Sequence, residues 1–346
     1  MKKRHFIVLL IGLVCVACRP TTSTSRSDDT AGFNINIKGD TTFITVHSPW
    51  KQGTAMAQYT IIRPLERVIC TSATHIGFIH ELGLTNKVVG VCRPERIYNL
   101  NTESRTRMTD IGDDIQPNLE TILLANPDAV IISTYAEGDK VPQQIEALGI
   151  PVFYCNEWTE TTPLARAEWI RFFGACFGCL PKADSIYASV KDAYEQLRTM
   201  GNGQLAMGKS IMSGMSFRGT WYVPAGGTFM GSIFRDAGAK YHYADNPSTS
   251  SIPLTTEQAL QDFAEADVWV GCNVYSLAEL QAIDQKHTWF KAFQTGHVYN
   301  FYRRTLPSGA NDFWESGTVH PERILSDLQK ILQGDTTNLH YSSPLQ

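Results

Sequence analysis

One α-β unit occurs twice in this chain, and that doubling limits the possible folds more than any other feature. The first copy runs from Pro117 to Ile132, Pro-Asn-Leu-Glu-Thr-Ile-Leu-Leu-Ala-Asn-Pro-Asp-Ala-Val-Ile-Ile. The second opens Leu254-Thr255-Thr256-Glu257-Gln258-Ala259-Leu260 and resumes at Ala264-Glu265-Ala266-Asp267-Val268-Trp269-Val270. Each copy is a polar cap, a Glu in the first helical turn, a short apolar helix, and an Asp that opens a buried strand. Two such units predict two similar lobes, and two lobes in one chain imply a cleft between them.

The chain has room for this, since 346 residues supply two ordinary cores. An apolar share of 43% with 18% charged residues describes a folded chain. A net charge of −4 leaves no broad basic surface, so no nucleic-acid partner is expected. Lys2-Lys3-Arg4, an apolar stretch from Phe6 to Val16, and Ala17-Cys18 read as a signal peptide. A Cys directly after the cut resembles a bacterial lipobox, which makes Cys18 the expected lipidation site and the following polar run a membrane tether. Of the other cysteines, Cys176 and Cys179 sit inside a helical pattern with no second pair. Buried thiols are expected there, not a metal site.

Beyond the tether, Phe33, Ile35 and Ile37 alternate with polar residues and are expected to face Phe43, with Ile44 or Val46, across a Gly39-Asp40 turn. Short apolar strands then alternate with helices. Val68 to Cys70, Lys87 to Val91, Ala129 to Ile132 and Val152 to Tyr154 form one set; Ser210 to Ser213, Val268 to Gly271 and Val298 to Phe301 form the other. This predicts an α/β fold of two similar lobes with mainly parallel sheets. Between the sets, Ala183, Ile186, Tyr187, Val190, Ala193, Tyr194 and Leu197 recur at helical spacing, which predicts one long rigid helix over 181–200 joining the lobes. The expected divisions are a signal peptide (1–17), a lipidated tether (18–32), a hairpin or strand extension (33–62), an N-terminal lobe (63–162), helices (163–203), a C-terminal lobe (204–332) and a loose tail (333–346).

Several motifs within this frame occur in order: Thr71-Ser72-Ala73-Thr74-His75, Leu82-Gly83-Leu84, Val88-Val89-Gly90-Val91, Gly112 with residues 117–130, Ala225-Gly226-Gly227-Thr228, Asp236-Ala237-Gly238, and the copy around Glu257. Over about 270 residues, roughly 62 to 332, the chain resembles the substrate-binding proteins of ABC importers for iron complexes and vitamin B12. The resemblance implies a monomer that carries a ferric siderophore, haem or a corrinoid to a permease dimer. It also implies that Glu120 and Glu257, one on each lobe, meet that permease. No cofactor and no catalytic residue is implied. Gly-x-Ser-x-Gly and His-Glu-x-x-His motifs are absent from the sequence, and an enzyme is not expected.

Ligands of open parallel sheets meet the loops at the carboxyl ends of strands. The residues just beyond each strand are therefore candidates: His75, Arg93 and Arg96, Tyr135, and Trp158 in the first lobe; Phe217 and Trp221, Asn273 and Tyr275, and Tyr302, Arg303 and Arg304 in the second. Arginine forks pair with carboxylates, and flat rings cover bulky or planar groups. His75 could instead serve as an axial metal ligand or in a zinc- or manganese-capturing protein, or simply belong to a helix start. Gly226-Gly227 is expected to be a tight packing turn.

Overall fold

The computed structural model describes residues 32–203 and 208–346; the signal peptide and Cys18 fall outside them. The chain opens with three antiparallel strands in the order β1-β2-β3: β1 (Phe33–Lys38), β2 (Thr41–His47) and β3 (Ala55–Ile61). The expected register changes in one respect. Phe33 pairs with Val46 and Ile35 with Ile44, so the buried face of β2 carries Ile44 and Val46, while Phe43 lies on the other face, partly exposed. Side chains alternate along a strand, so a one-residue difference exchanges the faces.

The first lobe is β4 (Val68–Cys70), α1 (Ala73–Glu81), β5 (Val88–Val91), α2 (Thr102–Arg107), β6 (Thr109–Asp110), α3 (Leu119–Leu124), β7 (Ala129–Ile132), α4 (Val141–Glu146) and β8 (Val152–Tyr154). Its sheet is fully parallel, in the order β6-β5-β4-β7-β8. Helices α5 (Pro163–Cys176) and α6 (Leu180–Gly203) come next. The second lobe is β9 (Ser210–Ser213), β10 (Ser216–Phe217), β11 (Thr220–Pro224), α7 (Phe229–Asp236), β12 (Lys240–Tyr241), β13 (Ser251–Leu254), α8 (Thr256–Phe263), β14 (Val268–Val270), α9 (Leu277–Ile283), α10 (Lys291–Gln294), β15 (Val298–Asn300), α11 (Ser316–Val319), α12 (Pro321–Gln333) and β16 (Ser343–Pro344). Its main sheet has the order β12-β9-β14-β15-β16, parallel except for β16, and β10, β11 and β13 form a small antiparallel sheet.

The repeat has a physical basis in these sheets. β7 lies between β4 and β8, and β14 holds the same place between β9 and β15. The Asp before each does the same work. The Asp128 carboxylate accepts the Glu66 and Arg67 N–H groups just ahead of β4. The Asp267 carboxylate accepts Ser210 N–H at the first residue of β9 and pairs with Lys291, which holds its pKa down at about 2. The repeated Asp thus staples the start of a neighbouring strand.

Helix α6 has 24 residues, about 36 Å at 1.5 Å per residue. Lys182 near its start donates to the Leu82 carbonyl of lobe 1 at 2.8 Å, and Tyr194 donates to Asp236 of α7 at 2.7 Å. It is the single rod that the apolar spacing predicts, tied to a lobe at each end. Among the described residues no helix is long and apolar enough to cross a membrane.

The tail is not loose. Leu339, Tyr341 and Leu345 are buried in the core of lobe 2, and β16 completes its sheet by pairing with β15. Buried Asp327 on α12 accepts three consecutive backbone N–H groups, from His340, Tyr341 and Ser342. That satisfies both the carboxylate and a strand that would otherwise leave polar groups unpaired.

Candidate functional site: a cleft between the lobes

The carboxyl ends of the two parallel sheets face a cleft that holds two cavities. The smaller, about 450 Å³, takes Arg96 from lobe 1, Asn273, Tyr275 and Tyr302 from lobe 2, and Trp314 and Glu315 from the segment after β15. The larger, about 590 Å³, lies between Asn156 and Trp158 after β8, Arg166 of α5, and the turn leading to Phe229 at the start of α7. Both volumes fall in the range of small-molecule sites. Trp314 lines both cavities and is 58% exposed.

Polar contacts hold the cleft's floor across the lobes. The Glu315 carboxylate accepts the backbone N–H groups of Tyr98 and Asn99 and the Asn99 side-chain amide. Asn99 also donates to Asp312, whose other oxygen receives Arg304 at 2.6 Å. Burial pushes the Glu315 carboxyl up to about 7. Gly77 of α1 runs directly under Glu315; a Cβ there would stand 2.5 Å from the Glu315 carbonyl oxygen, so only glycine permits the approach. On the other side of the cleft, the Arg166 guanidinium lies over the Phe229 ring at 5.1 Å and pairs with Glu157 at 3.5 Å.

The strand-end candidates divide clearly. Asn273 lines the smaller cavity, with Tyr275 and Tyr302 beside it, and Trp158 lines the larger. Tyr135 stands next to Trp158, ring centroids 5.7 Å apart, and donates to Asp114. Arg93 is exposed, in a left-handed backbone conformation, and pairs with Asp113 outside either cavity. Phe217 is exposed at the β10–β11 turn, beneath the Arg218 guanidinium and away from both cavities. Arg303 is exposed, whereas Arg304 is committed to buried Asp312 and lies over the Tyr98 ring.

Two candidates are corrected. His75 is wholly buried in α1, with Nε2 3.1 Å from the Ser133 hydroxyl, and desolvation lowers its pKa. It is a core histidine and cannot touch a cleft ligand. Trp221 is also wholly buried; its indole donates to the Ser213 carbonyl at 3.0 Å and packs on Trp269. On β11, Trp221 and Val223 point inward and Tyr222 outward, as strand alternation requires.

The other expectations concern charge and metals. Glu120 and Glu257 are both exposed, each the second residue of its helix, and Glu257 pairs with Lys286 at 2.6 Å. Among the described residues one set of side chains lies close enough to share an ion, His75, Cys155 and Glu157, all buried. These groups already serve one another, with the Cys155 thiol directed at Glu157 and Arg166 completing the carboxylate. Gly226 and Gly227 form the expected packing turn; a Cβ on Gly226 would meet the Ala244 carbonyl oxygen at 2.0 Å.

A family model described as periplasmic binding protein matches residues 68–303. The chain belongs to that family. Two uncharacterized lipoproteins of Methanocaldococcus jannaschii are similar to it, at 24% identity over 280 residues and 25% over 206. The matches cover 78% and 56% of this chain, and the chain spans 65% and 51% of those relatives' own lengths. Among solved structures, the periplasmic haem-binding protein RhuT of Roseiflexus sp. RS-1 superposes with a TM-score of 0.62 at 20% identity, covering 78% of this chain and 98% of that one. The petrobactin-binding protein YclQ of Bacillus subtilis gives 0.63 at 14% identity, covering 80% and 95%. The periplasmic vitamin B12 binding protein BtuF of Vibrio cholerae gives 0.59 at 17%, covering 78% and 98%. These likenesses are of fold.

Proposed function

We propose that this protein is the extracytoplasmic substrate-binding lipoprotein of an ABC importer, capturing a ferric chelate, either a siderophore or haem, and delivering it to a membrane permease. The observation that carries this reading is the cleft itself. Each cavity combines an arginine with aromatic rings and takes its lining from both lobes, the pairing suited to an anionic chelate with apolar faces. Family membership and neighbours that bind haem, petrobactin and vitamin B12 support the same role, with a corrinoid as the second ligand class. Arg303, exposed beside Tyr302, is a further contact for an anionic ligand. Lipidation at Cys18 agrees with the lipoprotein names of the relatives and would hold a monomer near its permease, with Glu120 and Glu257 as the docking carboxylates. A zinc- or manganese-capturing role loses its best candidate ligand to the core with His75.

The test is calorimetric titration of the pure protein with haemin, cyanocobalamin and a panel of ferric siderophores, paired with thermal unfolding. A ligand present at a hundred times its Kd stabilises the native state by about 2.7 kcal/mol. One chelate class should therefore bind and raise the unfolding temperature. Stoichiometric zinc in the purified protein, with no chelate bound, would overturn the reading.

A further inference from the structure

The turn between β2 and β3 lies outside the residues matched by the family model and outside the repeated α-β scheme. Yet it lines the larger cavity through His47, Ser48, Pro49 and Trp50. The turn is braced at every level. The Ser48 hydroxyl accepts the Trp50 and Lys51 N–H groups at 3.2 and 3.1 Å, and Ser48 N–H donates to the Thr54 carbonyl. Lys51 pairs with Glu137 of lobe 1. Beneath the turn, Tyr59 of β3 stacks on Phe153 of β8 with centroids 4.2 Å apart, and its hydroxyl accepts Tyr154 N–H at 2.9 Å. Phe33 packs against Trp169 and Phe172 of α5. Core contacts thus fix the small sheet against lobe 1 and present Trp50 to the cleft.

The rings around the larger cavity come from three separate parts of the chain. Trp50 stands 6.1 Å from Trp158 at a tilt of 52°. Phe229 and Trp314 line the same cavity. Aromatic faces add most to binding when they meet another flat π-system in an offset or edge arrangement. A chelator built from saturated hydroxamate arms has no such face to offer. We infer that the N-terminal sheet is a third wall of the ligand site, and that Trp50 selects a planar conjugated ring system such as a metalloporphyrin. This rests on the chelate-binding reading above.

The test uses haemin as probe, titrated into the whole protein and followed by difference absorbance. A ferric trihydroxamate and cyanocobalamin serve as comparison ligands. Trp50→Ala and Trp50→Leu should each weaken haemin binding about ten-fold or more, because leucine keeps apolar volume but lacks the ring, while Trp50→Phe should stay within about three-fold. The unfolding temperatures of the ligand-free leucine and phenylalanine variants should agree, which separates recognition from a purely structural role. Equal haemin affinity in the leucine and phenylalanine variants would overturn the assignment of Trp50. A protein that binds the trihydroxamate or cobalamin but not haemin would overturn this inference and leave the importer role standing. Binding of no chelate by the parent protein would remove both.

Discussion

Glu160 is a carboxyl whose chemistry depends on its surroundings. Its Oε1 accepts the Trp169 indole N–H at 2.8 Å and the Gly32 backbone N–H, and burial raises its pKa to about 7. A raised carboxyl pKa means that the folded state holds the proton more tightly than the unfolded one. The stabilisation is fully present below the ordinary value of about 4.5 and is lost as pH climbs through about 7. Glu160→Gln keeps an acceptor for both N–H groups and abolishes the ionisation. The variant should unfold like the parent at pH 4 and be more stable at pH 8, by on the order of 1–3 kcal/mol. Parallel pH profiles in chemical denaturation would count against a buried ionisable Glu160. At this scale the sequence was readable only in part. Asn273 and Trp158 could be found by taking the residues just past each strand's carboxyl end. Trp221 failed the same rule because β11 directs it inward, a fact carried by its Trp-Tyr-Val alternation. Trp314 escaped the rule because it stands directly after no strand. Its signal is the run Asn311-Asp312-Phe313-Trp314-Glu315 after a Pro-Ser-Gly turn, aromatic and acidic at once.

Among the elements, the long helix and the central strands were legible because their apolar periods run for many residues or recur in both lobes. Two-residue strands such as β6 and β12 are too short to carry a period. The closing segment is the instructive case. Its composition is polar, which predicts a loose tail, but Leu339, Tyr341 and Leu345 are all buried. Deleting residues 343–346 removes β16 and bares the edge of β15. The expected result is a loss of stability of about 2–4 kcal/mol, largely from Leu345 and the strand pairing, read as a lower denaturation midpoint. A midpoint equal to the parent's would mean that the β16 pairing contributes nothing. Tyr341→Ala should cost about as much, since it empties a fully buried aromatic site and breaks the bond to Ser316.

For the whole molecule, the two lobes are cousins built from one repeated unit, so equivalent surface positions recur once on each. Glu120 and Glu257 are such a pair, both exposed on the first turn of their helices. A permease dimer with two-fold symmetry would present two like sites to such a pair. Glu120→Ala combined with Glu257→Ala should leave chelate affinity unchanged in titrations and cut uptake several-fold in cells carrying the cognate permease, because rim charges govern encounter and orientation. Normal uptake at parental expression would reduce both residues to helix-end charges. The helix α6, tied to a lobe at each end, favours tightening of loops over a wide swing of one lobe against the other.

Trp314, common to both cavities and more than half exposed, gives the cleft an optical reporter of its own. The fully buried indoles of Trp221 and Trp269 line neither cavity. The ligand-dependent part of the emission should therefore come from the cleft indoles, with Trp314 responding whichever cavity fills. Subtracting the spectrum of Trp314→Phe from that of the parent isolates its share, and a site can be followed in solution without any attached dye.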